Sequence, residues 1–293
     1  MKVVYGHTDS IYVQIDSVEK AQTAIKEIEA SVREHFPNVL GLSEHPVVLE
    51  FEKYFSALGV GTTKNRNAGL VSWDDGEWLD EQKFTMTGFT AKRVSETRLA
   101  KEVQTTALKM WVQQKPKEEI NKYLHNTYVS VLEGKIDIQS IIKRSRLRDN
   151  RFNVKCPDCG LKHHIRQPIK WCKKCGVEGK LFVTLENKKP SFGEGIAGIL
   201  YAWEHTDMEF DDSYLFLKVK HLHKTYTHPL TGEKRNAEYV SGTTYADFKG
   251  YVPDWKHYAE QVVEKAKPIY KAMEWDLSSI RTGKIQKKLD DWW

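Results

Sequence analysis

The sequence predicts an α+β protein in which an antiparallel sheet with one helix precedes a mainly helical region carrying an inserted metal-binding ribbon. Residues 11–15 and 47–55 carry side chains that repeat with period two, as half-buried strands do, and β-branched Val3 and Val4 precede the first of these segments. Residues 18–35, 96–114 and 117–134 instead place apolar side chains at helical spacing. Two Cys-x-x-Cys pairs interrupt the later part of the chain, which indicates a metal-binding insertion rather than disulfides.

Composition and charge are those of an ordinary globular protein with one basic region. The 293 residues are 40% hydrophobic and 29% charged, which allows one or two domains with sizeable cores. No apolar run reaches transmembrane length and the first residues lack a signal-peptide pattern, so we expect a cytoplasmic protein without membrane contact. Residues 141–180 contain twelve Lys or Arg and three acidic residues within a total charge of +5. This region favours a polyanionic partner, although a solvated charged surface explains it equally well.

The first fifteen residues, MKVVYGHTDSIYVQI, predict two short strands joined by a tight turn. Gly6 can adopt turn geometry, and the side chains of Thr8, Asp9 and Ser10 can bond their own backbone there. A carboxylate at such a tip can bind a hard divalent cation through oxygen. A plain hairpin with a polar tip explains the same local pattern.

The stretch VVYGHTDSIYV resembles the YGDTDS hairpin of family B DNA polymerases. In that family the second carboxylate of the DTD triplet holds two catalytic metals, and this position is Asp9, so the resemblance implies Mg²⁺ binding there. The first Asp of the triplet is His7 here, at a position that is generally not a direct metal ligand. The family's other essential Asp precedes this hairpin, and a two-metal site needs more than one carboxylate. We therefore expect another polypeptide to complete the site.

The resemblance continues into the next strand, where LEFEKYF is similar to the family's LEYE segment. It implies that Glu52 is a catalytic residue near the metals. Acidic residues are nevertheless common on the solvent-exposed face of a half-buried strand, where they have no catalytic role.

Two further segments resemble parts of the family that approach DNA. GTTKNRNAGLV is similar to the KKRYAG segment that contacts the primer–template, which implies DNA contacts at Lys64 and Arg66. Asn65 and Asn67 depart from that pattern, and Asn67 replaces its Tyr. TGFTAKRVSE is similar to the KGLEIVRRD stretch leading from palm to thumb, which places a DNA-binding arginine at Arg93.

The segment GKIDIQSIIKRSRLRDN resembles part of the family's thumb, DLVITKSLRKD. Ile138, Ile141 and Ile142 are expected to anchor it in the core. The basic residues expected to follow the DNA backbone are Lys143, Arg144, Arg146 and Arg148. Such contacts supply affinity that falls steeply with salt and carries little sequence information.

The four cysteines, Cys156, Cys159, Cys172 and Cys175, have the spacing of two zinc knuckles. Four thiolates leave no open coordination position, so the expected Zn²⁺ is structural. The ribbon departs from the family pattern and appears as an insertion into the thumb. Three roles remain open: contact with DNA, stabilisation of the fold, and docking of another subunit.

The last eight residues, QKKLDDWW, form a compact apolar cluster if they adopt a short helical turn. Their spacing resembles the PCNA-interacting peptide, which implies binding to a sliding clamp through Gln286, Leu289, Trp292 and Trp293. Exposed terminal tryptophans favour such a partner, because an uncovered apolar patch usually marks an interaction site. The alternative is that both tryptophans pack back onto the thumb.

The resemblance implies a partial polymerase palm followed by a mainly helical thumb with an inserted zinc ribbon. The expected boundaries are 1–95 for the carboxyl-terminal part of the palm, 96–152 and 184–280 for the thumb, 153–183 for the ribbon, and 281–293 for the clamp-binding tail. The implied protein is the small subunit of a split DNA-directed DNA polymerase, nucleoid-associated and active only with a large subunit carrying exonuclease, fingers and the remaining palm.

Two alternatives stay open from the residues. His7 and the missing Tyr at position 67 are also compatible with a catalytically inactive DNA-binding and clamp-binding accessory subunit. A zinc-ribbon transcription or replication factor unrelated to polymerases is a third interpretation, but it leaves the order of the palm-like and thumb-like segments unexplained.

Overall fold

The computed structural model describes residues 2–7, 10–146, 153–156, 158–164, 172, 174–176, 212–220, 225–227, 234–236 and 238–285. These ranges contain twelve strands and five α-helices. Predictions for Asp9, Arg148 and the tail at 286–293 lie outside them. The predicted domain boundaries stay a prediction.

The predicted amino-terminal hairpin is confirmed by strands β1 (Lys2–His7) and β2 (Ser10–Gln14), which pair antiparallel. Helix α1 (Val18–His35) follows and has the bounds that the sequence pattern predicts. It begins after Ser17, whose side chain accepts a hydrogen bond from the Lys20 amide, as an N-cap does.

The strand predicted over 47–55 is wrong in its first six residues, because β3 (Lys53–Val60) begins only at Lys53. Side chains of α1 bond the preceding segment instead. The Glu29 carboxylate accepts a 2.6 Å hydrogen bond from the Leu49 amide, and Arg33 Nε donates to the Val47 carbonyl at 2.9 Å. Alternation therefore marks an extended segment here, but not a paired strand.

A three-stranded antiparallel sheet is built from β3, β4 (Asn67–Asp74) and β5 (Glu77–Thr87), with β4 in the centre. The turn between β4 and β5 contains Asp75 and Gly76, both with positive φ. Two such residues match the twist of a hairpin. Strand β4 is the buried strand of this sheet, with Val71 fully enclosed.

The remaining core is helical. Helices α2 (Arg98–Val112) and α3 (Lys117–Leu132) occupy the two predicted regions. They pack with α4 (Trp255–Ala272) and the short α5 (Ser278–Thr282). The predicted apolar face of α2 is confirmed, since four of its members are buried and the fifth packs against the core: Leu99, Val103, Ala107, Leu108 and Trp111. No helix among the described residues is long and apolar enough to cross a bilayer.

A second three-stranded sheet has the order β12–β9–β6, with β6 at Lys143–Arg146, β9 at Ser213–Lys218 and β12 at Tyr239–Gly242. Ile141 and Ile142, which precede β6, are buried as predicted. Two small hairpins complete the described strands: β7 (Asn153–Lys155) with β8 (Lys162–His164), and β10 (Thr225–Thr227) with β11 (Lys234–Asn236).

Candidate functional site

The amino-terminal hairpin is attached to the central sheet through Tyr12. The ring of Tyr12 meets the Tyr5 ring edge-on, with centroids 5.2 Å apart, and lies 6.0 Å from the ring of Phe55 on β3. Its hydroxyl lies near the side chain of Asn67, the first residue of β4. The Tyr54 hydroxyl of β3 donates a 3.3 Å hydrogen bond to the Asp16 carbonyl, just after β2. The hairpin therefore has both an aromatic and a polar contact with this sheet.

Glu52 lies close enough to this junction to act on it electrostatically. Burial raises the pKa of Tyr12, and the charges of Tyr5 and Glu52 raise it further, against the opposing effects of Asn67 and Lys53. The Tyr12 phenol is therefore neutral at physiological pH. The Glu52 side chain is exposed, and its carbonyl accepts a 3.1 Å hydrogen bond from the Asp75 amide, which fixes its backbone beside the sheet.

The predicted metal ligand Asp9 lies outside the described residues, so its role stays a prediction. Its described neighbours His7 and Ser10 pair with each other across the hairpin. Glu52 is an exposed oxygen donor near this hairpin, and carboxylate oxygen is the ligand that Mg²⁺ prefers in proteins. The donor chemistry therefore fits a hard divalent cation.

The turn that carries Lys64 and Arg66 packs backbone against backbone with the end of β5. The Gly61 amide donates a 2.8 Å hydrogen bond to the Arg66 carbonyl, which closes the turn. Gly88, with φ of +73°, follows β5 directly, and a Cβ atom there would lie 1.8 Å from the Asn65 carbonyl oxygen. The sequence pattern does not mark Gly88, because an isolated glycine gives no signal for such a contact.

The other predicted DNA-binding residues lie on two elements. Arg93 is exposed on the segment that leads from β5 to α2. On β6, Arg144 and Arg146 are exposed. They occupy alternate positions and therefore lie on one face of the strand. Lys143 lies on the opposite face and is half-buried. Through Gly88, the structure links the turn bearing Lys64 and Arg66 to the segment bearing Arg93.

The four cysteines predicted to bind zinc converge, with all four sulfur atoms within 4.8 Å of one another. The Sγ–Sγ distance is 3.5 Å for Cys156 and Cys175, and 3.7 Å for Cys159 and Cys172. Tetrahedral coordination at the usual Zn–S distance requires a separation of about 3.8 Å. The geometry therefore fits a closed four-thiolate zinc site.

Both cysteine pairs sit in turns of the same kind. The Gly160 amide donates to the Cys156 carbonyl, and the Gly176 amide donates to the Cys172 carbonyl, both at 2.9 Å. Both glycines have positive φ, which lets the chain reverse beneath the sulfurs. The Lys174 amide also points at Cys172 Sγ, at 3.4 Å, as a hydrogen bond that favours a thiolate.

Comparison with known proteins places this arrangement in one family. The model of DNA polymerase family B matches residues 1–171. The DNA polymerase delta catalytic subunit of Candida albicans is 24% identical over 256 residues, which are 86% of this chain and 23% of that protein. The DNA polymerase of Archaeoglobus fulgidus is 26% identical over 141 residues, which are 48% of this chain and 16% of that protein.

A solved structure shares the fold. The family B DNA polymerase from the hyperthermophilic archaeon Pyrobaculum calidifontis superposes with a TM-score of 0.52 at 17% identity, over 92% of this chain and 26% of that one. The chain thus spans about a quarter or less of the length of the relatives described here.

Proposed function

The chain belongs to DNA polymerase family B, and we propose that it supplies one part of a DNA-directed DNA polymerase. In this proposal the chain contributes one carboxylate of the metal site, the basic residues that bind the primer–template, and a tail that binds a sliding clamp. The family assignment supports nucleotidyl transfer on DNA. The proposal also divides the active site between two subunits.

One observation carries the proposal: the hairpin that bears Asp9 is joined directly to the strand that follows the basic turn. The Tyr12 ring of the hairpin lies 6.0 Å from the ring of Phe55 on β3, its hydroxyl lies near the Asn67 side chain, and Asn67 comes immediately after Arg66. A metal-binding carboxylate and phosphate-binding cations on connected elements are what nucleotidyl transfer to a DNA primer requires.

In this proposal, Asp9 and Glu52 supply oxygen ligands for Mg²⁺. When bound, the metal ions supply charge stabilisation for the attacking primer hydroxyl and for the leaving pyrophosphate. The chain's basic residues bind the DNA backbone and hold the primer end beside the hairpin: Lys64, Arg66, Arg93, Lys143, Arg144, Arg146 and Arg148. These contacts position the duplex and do not read its sequence.

A large subunit supplies the second palm Asp, the fingers and any exonuclease. A single hairpin carboxylate and an exposed Glu52 do not hold two metal ions in a defined geometry without a further ligand. The relatives are several times longer than the matched region, which leaves ample length for those missing parts. We propose a heterodimer in which the two palm portions meet at the β1–β2 hairpin.

Two further elements complete the proposal. The cysteine cluster binds one structural Zn²⁺, because four thiolates leave no position for a substrate. The tail residues Gln286, Leu289, Trp292 and Trp293 bind a PCNA-type clamp, as their spacing indicates.

A catalytically inactive accessory subunit is the second candidate, and Asn67 favours it. Its side chain is 5% exposed and lies near Tyr12, whereas contact with a DNA groove requires an exposed side chain. In that case the chain binds DNA and the clamp without contributing to nucleotidyl transfer.

Primer extension separates the two candidates. The affinity-tagged chain is purified alone and with its co-purifying large subunit, and each sample is tested on a labelled primer–template with Mg²⁺. We expect duplex binding without extension by the chain alone, and extension by the complex. Extension by the chain alone would refute the shared site, and loss of all duplex binding would refute the DNA role. Equal extension by the large subunit with and without this chain would favour the accessory candidate.

A further inference from the structure

We propose that Lys265, on helix α4, is a positioning residue that holds Arg93 in place for binding the DNA phosphate backbone. This inference rests on the proposed DNA-binding function and adds a residue to which neither the sequence pattern nor the family match assigns a role. Lys265 acts through the segment of residues 89–97, the linker between β5 and α2.

Lys265 forms a buried ion pair at the end of this linker. Its ammonium group pairs with the Glu96 carboxylate, and the two side chains are only 13% and 12% exposed. The same ammonium donates a 3.0 Å hydrogen bond to Thr90 Oγ1, near the start of the linker. The Lys265 side chain therefore binds the linker at both ends.

Gln104, on α2, closes the network from the other side. Its side-chain carbonyl accepts a 2.8 Å hydrogen bond from the Ala91 amide and a 3.1 Å bond from Thr90 Oγ1. Its side-chain amide donates to the Lys265 carbonyl at 3.4 Å. Gln104 is 3% exposed, so these bonds are shielded from water and hold the linker, α2 and α4 together.

Between these two ends the linker folds outward in short turns. The Arg93 amide donates to the Thr90 carbonyl at 2.9 Å, and the Glu96 amide donates to the Arg93 carbonyl at 3.2 Å. Lys92 and Arg93 are exposed on this stretch. The fixed backbone presents two adjacent cations to solvent, as a phosphate-binding loop does.

The linker is also fixed relative to the basic turn. It begins directly after Gly88, whose α-carbon is in backbone contact with Asn65 of the turn between β3 and β4. Arg93 is consequently held in a defined relation to Lys64 and Arg66. Because both ends of the linker are fixed, its basic side chains lose less conformational entropy when they bind a phosphate.

The burial of this ion pair distinguishes it from the others. Among the ion pairs of the described residues, the Lys265–Glu96 pair alone has both side chains less than one-fifth exposed. Buried ion pairs contribute little to stability compared with apolar residues of similar volume. A role in fixing the geometry of the linker explains this arrangement better than stability does.

Duplex binding by the full 293-residue chain tests the inference. Fluorescence anisotropy with a labelled primer–template is measured at several salt concentrations for four variants: Arg93→Ala, Lys265→Met, Glu96→Gln and the double variant Arg93→Ala with Lys265→Met. Lys267→Met is the matched control, because it removes the same charge from the same helix at an exposed pair with Glu264.

We expect Arg93→Ala to weaken binding roughly fivefold to tenfold and to reduce the salt slope by about 1, as loss of one phosphate contact does. Lys265→Met and Glu96→Gln should each produce most of that loss. The double variant should bind no more than about twofold more weakly than Arg93→Ala, because Lys265 acts through Arg93. Lys267→Met should stay within about twofold of the unmodified chain.

Three results would overturn the inference: normal binding by both Lys265→Met and Glu96→Gln, normal binding by Arg93→Ala, or multiplicative losses in the double variant. Multiplicative losses would mean that Lys265 contacts a phosphate itself. Circular dichroism confirms folding at the assay temperature. If Lys265→Met unfolds, Glu96→Gln decides, because it removes the ion pair while its amide oxygen and Thr90 can still accept hydrogen bonds from Lys265. Absence of binding by the unmodified chain would instead refute the proposed function.

Discussion

The hydroxyl of Tyr12 lies near the side chain of Asn67, where the amino-terminal hairpin meets the first residue of β4. Asn67 is 5% exposed, so a polar neighbour matters more to its side chain than to an exposed amide. Since Asp9 lies between β1 and β2 and Arg66 directly precedes Asn67, this contact links the two halves of the candidate site.

Tyr12→Phe removes the hydroxyl that lies near the buried amide of Asn67. We expect the free energy of unfolding to fall by about 1–3 kcal/mol. In the reconstituted polymerase, we expect kcat for primer extension to fall about tenfold while the dissociation constant for the duplex stays unchanged, because the hairpin loses its orientation. Urea unfolding and single-turnover extension measure the two effects.

Tyr245→Phe is the matched control for Tyr12→Phe. It also removes one phenol, but from a side chain that is 43% exposed and follows β12 rather than the hairpin. Extension by the control should remain within about twofold of the unmodified polymerase. If Tyr12→Phe also extends primers at the unmodified rate, the Tyr12 hydroxyl has no role in positioning the hairpin.

Gly88→Ala should displace the turn that bears Lys64 and Arg66. A Cβ atom at Gly88 would lie 1.8 Å from a backbone oxygen, so the turn must move, and the positive φ adds strain. We expect a lower thermal midpoint and weaker duplex binding. Gly76→Ala is the control, because it has the same kind of φ but no atom within 4 Å of the added Cβ. Equal duplex affinity in the two variants would contradict the importance of the Gly88–Asn65 contact.

Zinc analysis tests the cysteine cluster. The purified chain should contain about one Zn²⁺, and Cys172→Ser should lose it, because a structural site requires all four thiolates. Chelation should expose residues 153–176 to protease before the helical core unfolds, since the metal stabilises the knuckles. A metal-free chain that resists protease equally well, with or without added zinc, would show that the cluster is not a zinc site.

Replacing Trp292 and Trp293 together by Ala should abolish stimulation of primer extension by a PCNA-type clamp. The spacing of Gln286 and Leu289 to these tryptophans is the basis of this expectation. Distributive synthesis without the clamp serves as the internal control and should not change. Normal processivity of the double variant with the clamp would place the clamp contact elsewhere or exclude it.

Local patterns predicted the helices well. The bounds of α1 and the apolar face of α2 follow from the spacing of side chains such as Val103 and Leu108, because those elements bury one face in the core. The turn at Asp75 and Gly76 follows equally from residues that accept positive φ. These features depend on neighbours within a few positions of each other.

Contacts between distant residues were not predictable in this way. Alternation over residues 47–52 predicted a strand, but Glu29 on α1 bonds that backbone instead. Lys265 and Glu96 are 169 positions apart, and nothing in either segment indicates the partner. At Asn67 the sequence did carry a signal, the departure from the family's Tyr, but only the structure shows that its side chain meets Tyr12.

Primer extension by the reconstituted polymerase with Asp9→Ala tests the catalytic role of this chain most directly. We expect a loss of at least about 100-fold in the extension rate, since removing even an outer partner of a metal ligand costs about 10–100-fold. Duplex affinity should stay unchanged, and Asp16→Ala, which removes an exposed carboxylate paired with Lys20, should extend at the unmodified rate. Extension by Asp9→Ala at the rate of Asp16→Ala would contradict a metal-binding role for Asp9.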